Sequence, residues 1–156
     1  MKGLSFQAGG ELFTVDVTLV YKVVRNMPFT PLPASSDTVV GIAGMKGRVI
    51  TVLSLTELLG RGRSEQARDV VIFKPAASGN DQMGLIIDKP GELIDIDENE
   101  ILPPPKASRE EEHLCIAGMI EIDGVLYRII CVDSIISGFK YAGENASGAI
   151  SQRGNE

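Results

Sequence analysis

Two cysteines, one histidine and a dense acidic run are the residues of this chain that could do covalent or metal chemistry. A cysteine nucleophile needs a base to draw off its proton, and His113 is the only imidazole available. Cys115 and Cys131 both sit inside apolar runs, Leu114 to Met119 and Leu126 to Val132, whereas His113 lies in the charged stretch REEEHL. Those settings describe two small buried hydrophobes and a solvated imidazole. A catalytic reading built on Cys131 and Asp133 would have to borrow that distant histidine. Transition-metal ligation asks for several His or Cys at close spacing, and no Cys-x-x-Cys occurs. The run ELIDIDENE, Glu92 to Glu100, offers Glu92, Asp95 and Asp97 as possible paired carboxylates. No nucleophile, base or cleft partner accompanies them, so an acidic loop at strand ends is the expected role. No catalytic residue, metal or cofactor is assigned.

Composition narrows the partners. With 15 basic against 21 acidic residues the net charge is −6, which opposes sequence-independent phosphate binding, so no nucleic-acid partner is expected. The apolar runs are short and broken by charge or glycine, and the first residues, MKGLSFQAGG, lack a signal-peptide core. A cytoplasmic protein without direct membrane insertion is expected. At 156 residues and 44% hydrophobic content the chain can fill one ordinary core, or two small halves sharing one.

The elements that must position any site read mostly as strands. ELFTVDV (Glu11 to Val17), DVVIFK (Asp69 to Lys74), MGLIID (Met83 to Asp88) and VLYRIICV (Val125 to Val132) are short, apolar and bounded by turn residues. Asp123-Gly124 between two such runs is a strong hairpin signal, because both central residues of the favoured turn need positive φ. Lys46-Gly47 is its counterpart earlier in the chain. Helical signals are short: SLTELLG, with Ser54 or Thr56 as cap and Gly60 as stop, and VDSIISG. TLVYKVV (Thr18 to Val24) fits either state.

The tetrapeptide Ile-Ala-Gly-Met occurs at Ile42 to Met45 and again at Ile116 to Met119. Its surroundings repeat in order: PLP (Pro31 to Pro33) answers PPP (Pro103 to Pro105), and YKVVR (Tyr21 to Arg25) answers GELID (Gly91 to Asp95). The chain therefore reads as an all-β protein of two related halves, about 11–60 and 82–136, each a small barrel with short helical turns. Gly44 and Gly118 are expected at equivalent places. Three more residues separate Met from Gly in the second copy, so longer strands are expected there. From 139 to 156 the Gly- and Ser-rich sequence reads as a flexible tail.

The stretches FTVDVTLVYKVV, TPLPASSDTVVGIAGMKGRVITVLSLTELLG, MGLIIDKPGELIDIDENEILPPP and LCIAGMIEIDGVLYRIICVDSII resemble, in order, the motifs of the CheW-like domain family. The resemblance covers about residues 4–138, so 1–138 is expected to be a single domain of that kind. It implies two five-stranded β-barrels, SH3/OB-like in build, packed about a common core. It also implies a non-catalytic adaptor that couples the cytoplasmic tips of methyl-accepting chemoreceptors to the regulatory domain of a CheA-type histidine kinase, beside membrane-associated receptor arrays. Carried onto this chain, the kinase contact falls on Lys22, Gly41, Lys46, Gly47 and Arg48 at a barrel end. The receptor contact falls on Val17, Val20, Val23 and Ile86 in the apolar groove between barrels. Lys22, Lys46, Thr51 and Ser54 stand where the family usually has Glu, Arg, Pro and Asp, the pattern of a divergent member, such as the adaptor of a non-flagellar chemosensory system. Lys22 and Lys46 are expected near one barrel end. A β-barrel module binding a small ligand or an oligonucleotide is the competing class; it predicts an exposed aromatic platform in a basic groove.

Overall fold

A computed structural model describes residues 1–32, 38–62, 68–75, 82–104 and 115–136. The stretch holding His113 and the tail from residue 139 lie outside them. Eleven strands alternate with short turns: β1 (Lys2–Ala8), β2 (Glu11–Asp16), β3 (Val20–Val24), β4 (Thr30–Pro31), β5 (Val39–Met45), β6 (Arg48–Ser54), β7 (Asp69–Phe73), β8 (Gln82–Ile87), β9 (Lys89–Asp95), β10 (Ile116–Ile122) and β11 (Val125–Ile130). TLVYKVV divides: Val17–Leu19 make one 3-10 turn capped by the Asp16 carboxylate, which accepts from the Thr18 N–H, and β3 follows. One α-turn, α1 (Leu55–Leu58), follows β6, and residues 132–136 are helical after β11. Among the described residues no helix is long and apolar enough to cross a membrane.

The strands form two sheets, one in the order β10, β11, β2, β1, β9 and one in the order β3, β7, β8, β6, β5, β4. The expected pair of closed five-stranded barrels is corrected here: one sheet has six strands, and no pairing among the described residues joins its edges or those of its neighbour. The sixth strand is the two-residue β4, whose Pro31 cannot donate to a ladder and so belongs at an edge. Its counterpart in the five-stranded sheet is reduced to a single bridge between Leu102 and Met119. The pairings of both outer strands β3 and β9 are broken by register shifts, which turn an edge away from further pairing.

Neither 11–60 nor 82–136 is a sheet by itself, because β2 leaves the first stretch and β8 the second to complete the other's sheet. In both sheets the same pattern recurs. Hairpin β5–β6 meets β8 in parallel, and hairpin β10–β11 meets β2 in parallel. Superimposing the two ladders makes Val39, Gly41 and Met45 the counterparts of Ile116, Gly118 and Ile122, since each ladder slips once after its first pair and then runs without interruption to the turn. The two copies of Ile-Ala-Gly-Met are therefore three residues out of register. Gly118 corresponds to Gly41, not Gly44, and the second hairpin is not longer: β5 and β10 are both seven residues. The steric reason is explicit. A Cβ on Gly41 would stand 2.3 Å from the Thr30 carbonyl oxygen and one on Gly118 2.8 Å from that of Leu102, whereas Gly44 has nothing within 4 Å. By the same superposition Lys22 and Arg25 on and after β3 correspond to Glu92 and Asp95 on β9.

Alternation along the strands sorts the apolar residues into three clusters. The largest lies between the sheets and takes Phe6, Phe13 and Val15 from one, Leu53, Val71, Phe73 and Leu85 from the other, and Leu55, Leu59, Val132 and Ile135 from the helical turns. Phe6 and Phe13 stack with ring centroids 5.7 Å apart. The six-stranded sheet curls around Met27, Val40, Ile50, Val52, Val70, Ile72 and Ile86, and the five-stranded one around Ile96, Ile120 and Ile129.

Candidate protein-protein interfaces

The β5–β6 hairpin tip is set by backbone chemistry. Lys46 and Gly47 both have positive φ, 50° and 77°, the pair of values that a two-residue turn matching the strand twist requires. The turn holds Lys46 and Arg48 in solvent, with Val49 next along β6. Val49 pairs with Gly44, which has no side chain to cover it, and is 60% exposed. Arg48 and Val49, consecutive on β6, face opposite sides of the sheet, so the tip offers exposed cations and an exposed valine on adjoining surfaces. Gly41 lies deeper in β5, buried beneath the Thr30 carbonyl; it holds edge strand β4 rather than facing solvent.

Lys22 does not join this group. It is exposed on β3, the outer strand at the opposite side of the sheet, with β7, β8 and β6 between it and β5. Lys22 and Lys46 thus lie on different strands of the sheet, β3 pairing only with β7.

The four groove residues divide as well. Val20 and Val23 are half-buried at the margin of the cluster between the sheets, and Val17 lies in the 3-10 turn that leads into β3 and packs beside β1. Ile86 is elsewhere: it is 4% exposed and belongs to the interior of the six-stranded sheet. The reason is the strand period, since Leu85 and Ile87 face the shared core and the residue between them must face the other way. Leu4 occupies the same margin as Val20 and Val23, and its partner across the ladder, Leu93 on β9, is 56% exposed. Sequence reading missed Leu4, Leu93 and Val49. Two signals were present: the match of YKVVR to GELID aligns Leu93 with Val23, and Val49 lies one residue beyond the cationic turn.

Polar contacts brace these surfaces. Glu11 on β2 accepts from Arg61 after α1 and from Arg128 on β11, tying the segment after the six-stranded sheet's hairpin to the five-stranded sheet. Buried Asp69 accepts from the Asn26 N–H at 2.8 Å and pairs with Arg25 at 3.3 Å, holding the positive-φ turn that ends β3. At the corresponding place on the other sheet Lys2 pairs with Asp95 at 3.6 Å, the same link with its charges exchanged. Cys131 lies at the start of the helical turn 132–136, its Sγ 3.1 Å from the Ser134 hydroxyl, and Cys115 is buried in the shared core.

A family model described as CheW-like domain matches residues 2–140. The chain is 24% identical over 133 residues to a chemotaxis protein CheW of Rhizobium meliloti, covering 85% of this chain and 84% of the relative. It is 26% identical over 136 residues to that of Thermotoga maritima, with 85% of each covered. Over 120 residues it is 29% identical to protein FrzA of Myxococcus xanthus, covering 76% of this chain and 73% of the relative. Among solved structures, the scaffolding protein TtCheW of Thermoanaerobacter tengcongensis superimposes with a TM-score of 0.73 at 28% identity, covering 84% of this chain and 88% of that one. A match from the first strand to beyond the last helical turn, carried by an all-β structure with the same fold, assigns the chain: it is a member of the CheW-like domain family.

Proposed function

We propose that this protein is a non-catalytic chemosensory adaptor that joins the cytoplasmic tip of a methyl-accepting chemoreceptor to the regulatory domain of a CheA-type histidine kinase. The family match over residues 2–140 carries the reading. The kinase contact is the β5–β6 tip, Lys46, Gly47 and Arg48 with Val49 next along β6, and Gly41 holds the strand edge behind them; Lys22 meets the kinase only if its surface extends across to β3. The receptor helix lies along the margin formed by Val17, Val20 and Val23, where an apolar helix face can be buried. Work at a receptor tip places the protein on the cytoplasmic side of the array. Lys22 and Lys46 favour a kinase surface carrying acidic residues, because charge at an interface selects partners more than it adds affinity.

Titration calorimetry with separately purified kinase regulatory domain and receptor cytoplasmic fragment tests the assignment of faces. Val49→Asp is expected to weaken kinase binding roughly tenfold or more, the range of a central interface residue, and to leave receptor binding unchanged. Val20→Asp is expected to do the reverse. Equal loss of both affinities in each variant, or no binding by the unaltered protein, would refute the reading.

A further inference from the structure

The chain's two cysteines meet at the base of one hairpin: Cys115 immediately precedes β10 and Cys131 immediately follows β11. Ile116 pairs with Ile130 at the end of that ladder, and one step further out the Cys131 N–H donates to the Cys115 carbonyl at 2.8 Å. A backbone hydrogen bond of this kind between antiparallel segments sets the two Cα atoms about 5.5 Å apart, inside the range of roughly 4.4–6.8 Å that a disulfide spans. Both residues are thiols in this structure. Their settings differ in a way that suits two roles. Cys115 is 5% exposed, within the cluster between the sheets. Cys131 is only half-buried, so a small oxidant can reach it, and its Sγ lies 3.1 Å from the Ser134 hydroxyl, a donor beside the sulfur. Closing a bond to Cys115 requires Cys131 to give up that hydroxyl and swing inward; it lies outside both strands, so the swing disturbs no ladder pair.

We propose that Cys115 and Cys131 form a redox modification site, in which a hydroperoxide oxidises Cys131 and Cys115 resolves the product as a disulfide within the chain. In the first step the Cys131 sulfur attacks one peroxide oxygen; the O–O bond breaks, Cys131 becomes a sulfenic acid, and the departing oxygen takes up the thiol proton as water or alcohol. In the second the Cys115 sulfur attacks the Cys131 sulfur; the S–S bond forms, the S–O bond breaks, and the hydroxyl leaves with the Cys115 proton as water. Two thiols are oxidised and one peroxide is reduced, so the exchange balances, and a dithiol reductant reverses it. The bond ties the base of the β10–β11 hairpin to the start of the helical turn 132–136, whose Val132 and Ile135 pack between the sheets. Oxidation therefore acts on packing that both sheets share. In a reducing compartment such a bond is transient, a signal rather than a staple. The inference rests on the two cysteines and does not depend on the receptor or kinase reading.

Hydrogen peroxide added to the folded, full-length chain tests the site, with intact-mass spectrometry as the readout and far-UV circular dichroism recorded alongside. The unaltered chain is expected to lose the mass of two hydrogens while its spectrum stays that of a folded protein, and to regain them with dithiothreitol. A tryptic digest made without reduction is expected to hold the Cys115 and Cys131 peptides linked to each other. Cys115→Ser is expected to stop at a sulfenic acid on Cys131, captured by dimedone. Cys131→Ser is expected to leave the buried Cys115 a thiol over the same period. The digest of the unaltered chain decides the matter even where a variant fails to fold. Thiols that both remain open to alkylation after peroxide, linkage only between two chains, linkage that appears only once the chain has unfolded, or a Cys131→Ser chain oxidised as fast as the unaltered one would overturn the proposal.

Discussion

A single glycine in this protein is as constrained as the atoms one Cβ away from it. Gly41→Ala would drive a methyl group into the Thr30 carbonyl and is expected to destabilise the fold by about 1–3 kcal/mol through overpacking. Gly44→Ala, three residues along the same strand with open space around it, is expected to change stability by less than about 0.5 kcal/mol. Urea midpoints of the two variants measured side by side check the pair. The repeated tetrapeptide is plain in the sequence, but which of its glycines matters is not, since the atoms that decide it belong to Thr30 and Leu102 on separate segments. Asp69 is similar. As part of DVVIFK it reads only as the polar start of a strand, whereas folding brings it to an Asn26 N–H 43 residues away. Asp69→Ala leaves that N–H without its acceptor and removes Arg25's partner; a loss of about 1–3 kcal/mol is expected, again by urea unfolding.

Among the elements, local signals fared well and pairing signals did not. Asp123-Gly124 and Lys46-Gly47 are both hairpin turns with both central residues at positive φ, as their residue types require. Gly47→Ala and Gly124→Ala are each expected to destabilise by about 1–2 kcal/mol, the penalty for a side chain in the left-handed region, read from thermal unfolding. Ser54 was legible as a cap: its hydroxyl accepts from the Glu57 N–H at 3.2 Å, and Ser54→Ala is expected to lose about 1 kcal/mol. The parallel pairings of β6 with β8 and of β11 with β2 left no local trace, because nothing in a strand's own residues names a distant neighbour. Strand count failed for the same reason: Thr30–Pro31 looks like a loop until β5 pairs with it. Ile86 was misplaced because MGLIID is apolar at nearly every position, which hides the alternation that sends Leu85 and Ile86 to different clusters.

For the whole molecule, the five-stranded sheet joins the two ends of the chain, β1–β2 and β9–β11, around the six-stranded sheet built from β3 to β8, and the largest cluster draws on both sheets. The chain should therefore unfold in one cooperative step, with coincident transitions in far-UV circular dichroism and tyrosine fluorescence. The all-β class was readable because it rests on composition and short apolar runs; the joining of the chain's two ends in one sheet was not, because it is a property of the complete fold. The proposed bridging of receptor and kinase is tested most directly by immobilising a chemoreceptor cytoplasmic fragment and measuring retention of purified CheA-type kinase regulatory domain with and without this protein. Retention of the kinase domain only when the protein is present, and its loss with Val49→Asp, is the predicted result; equal retention without the protein, or no retention in its presence, would contradict the account.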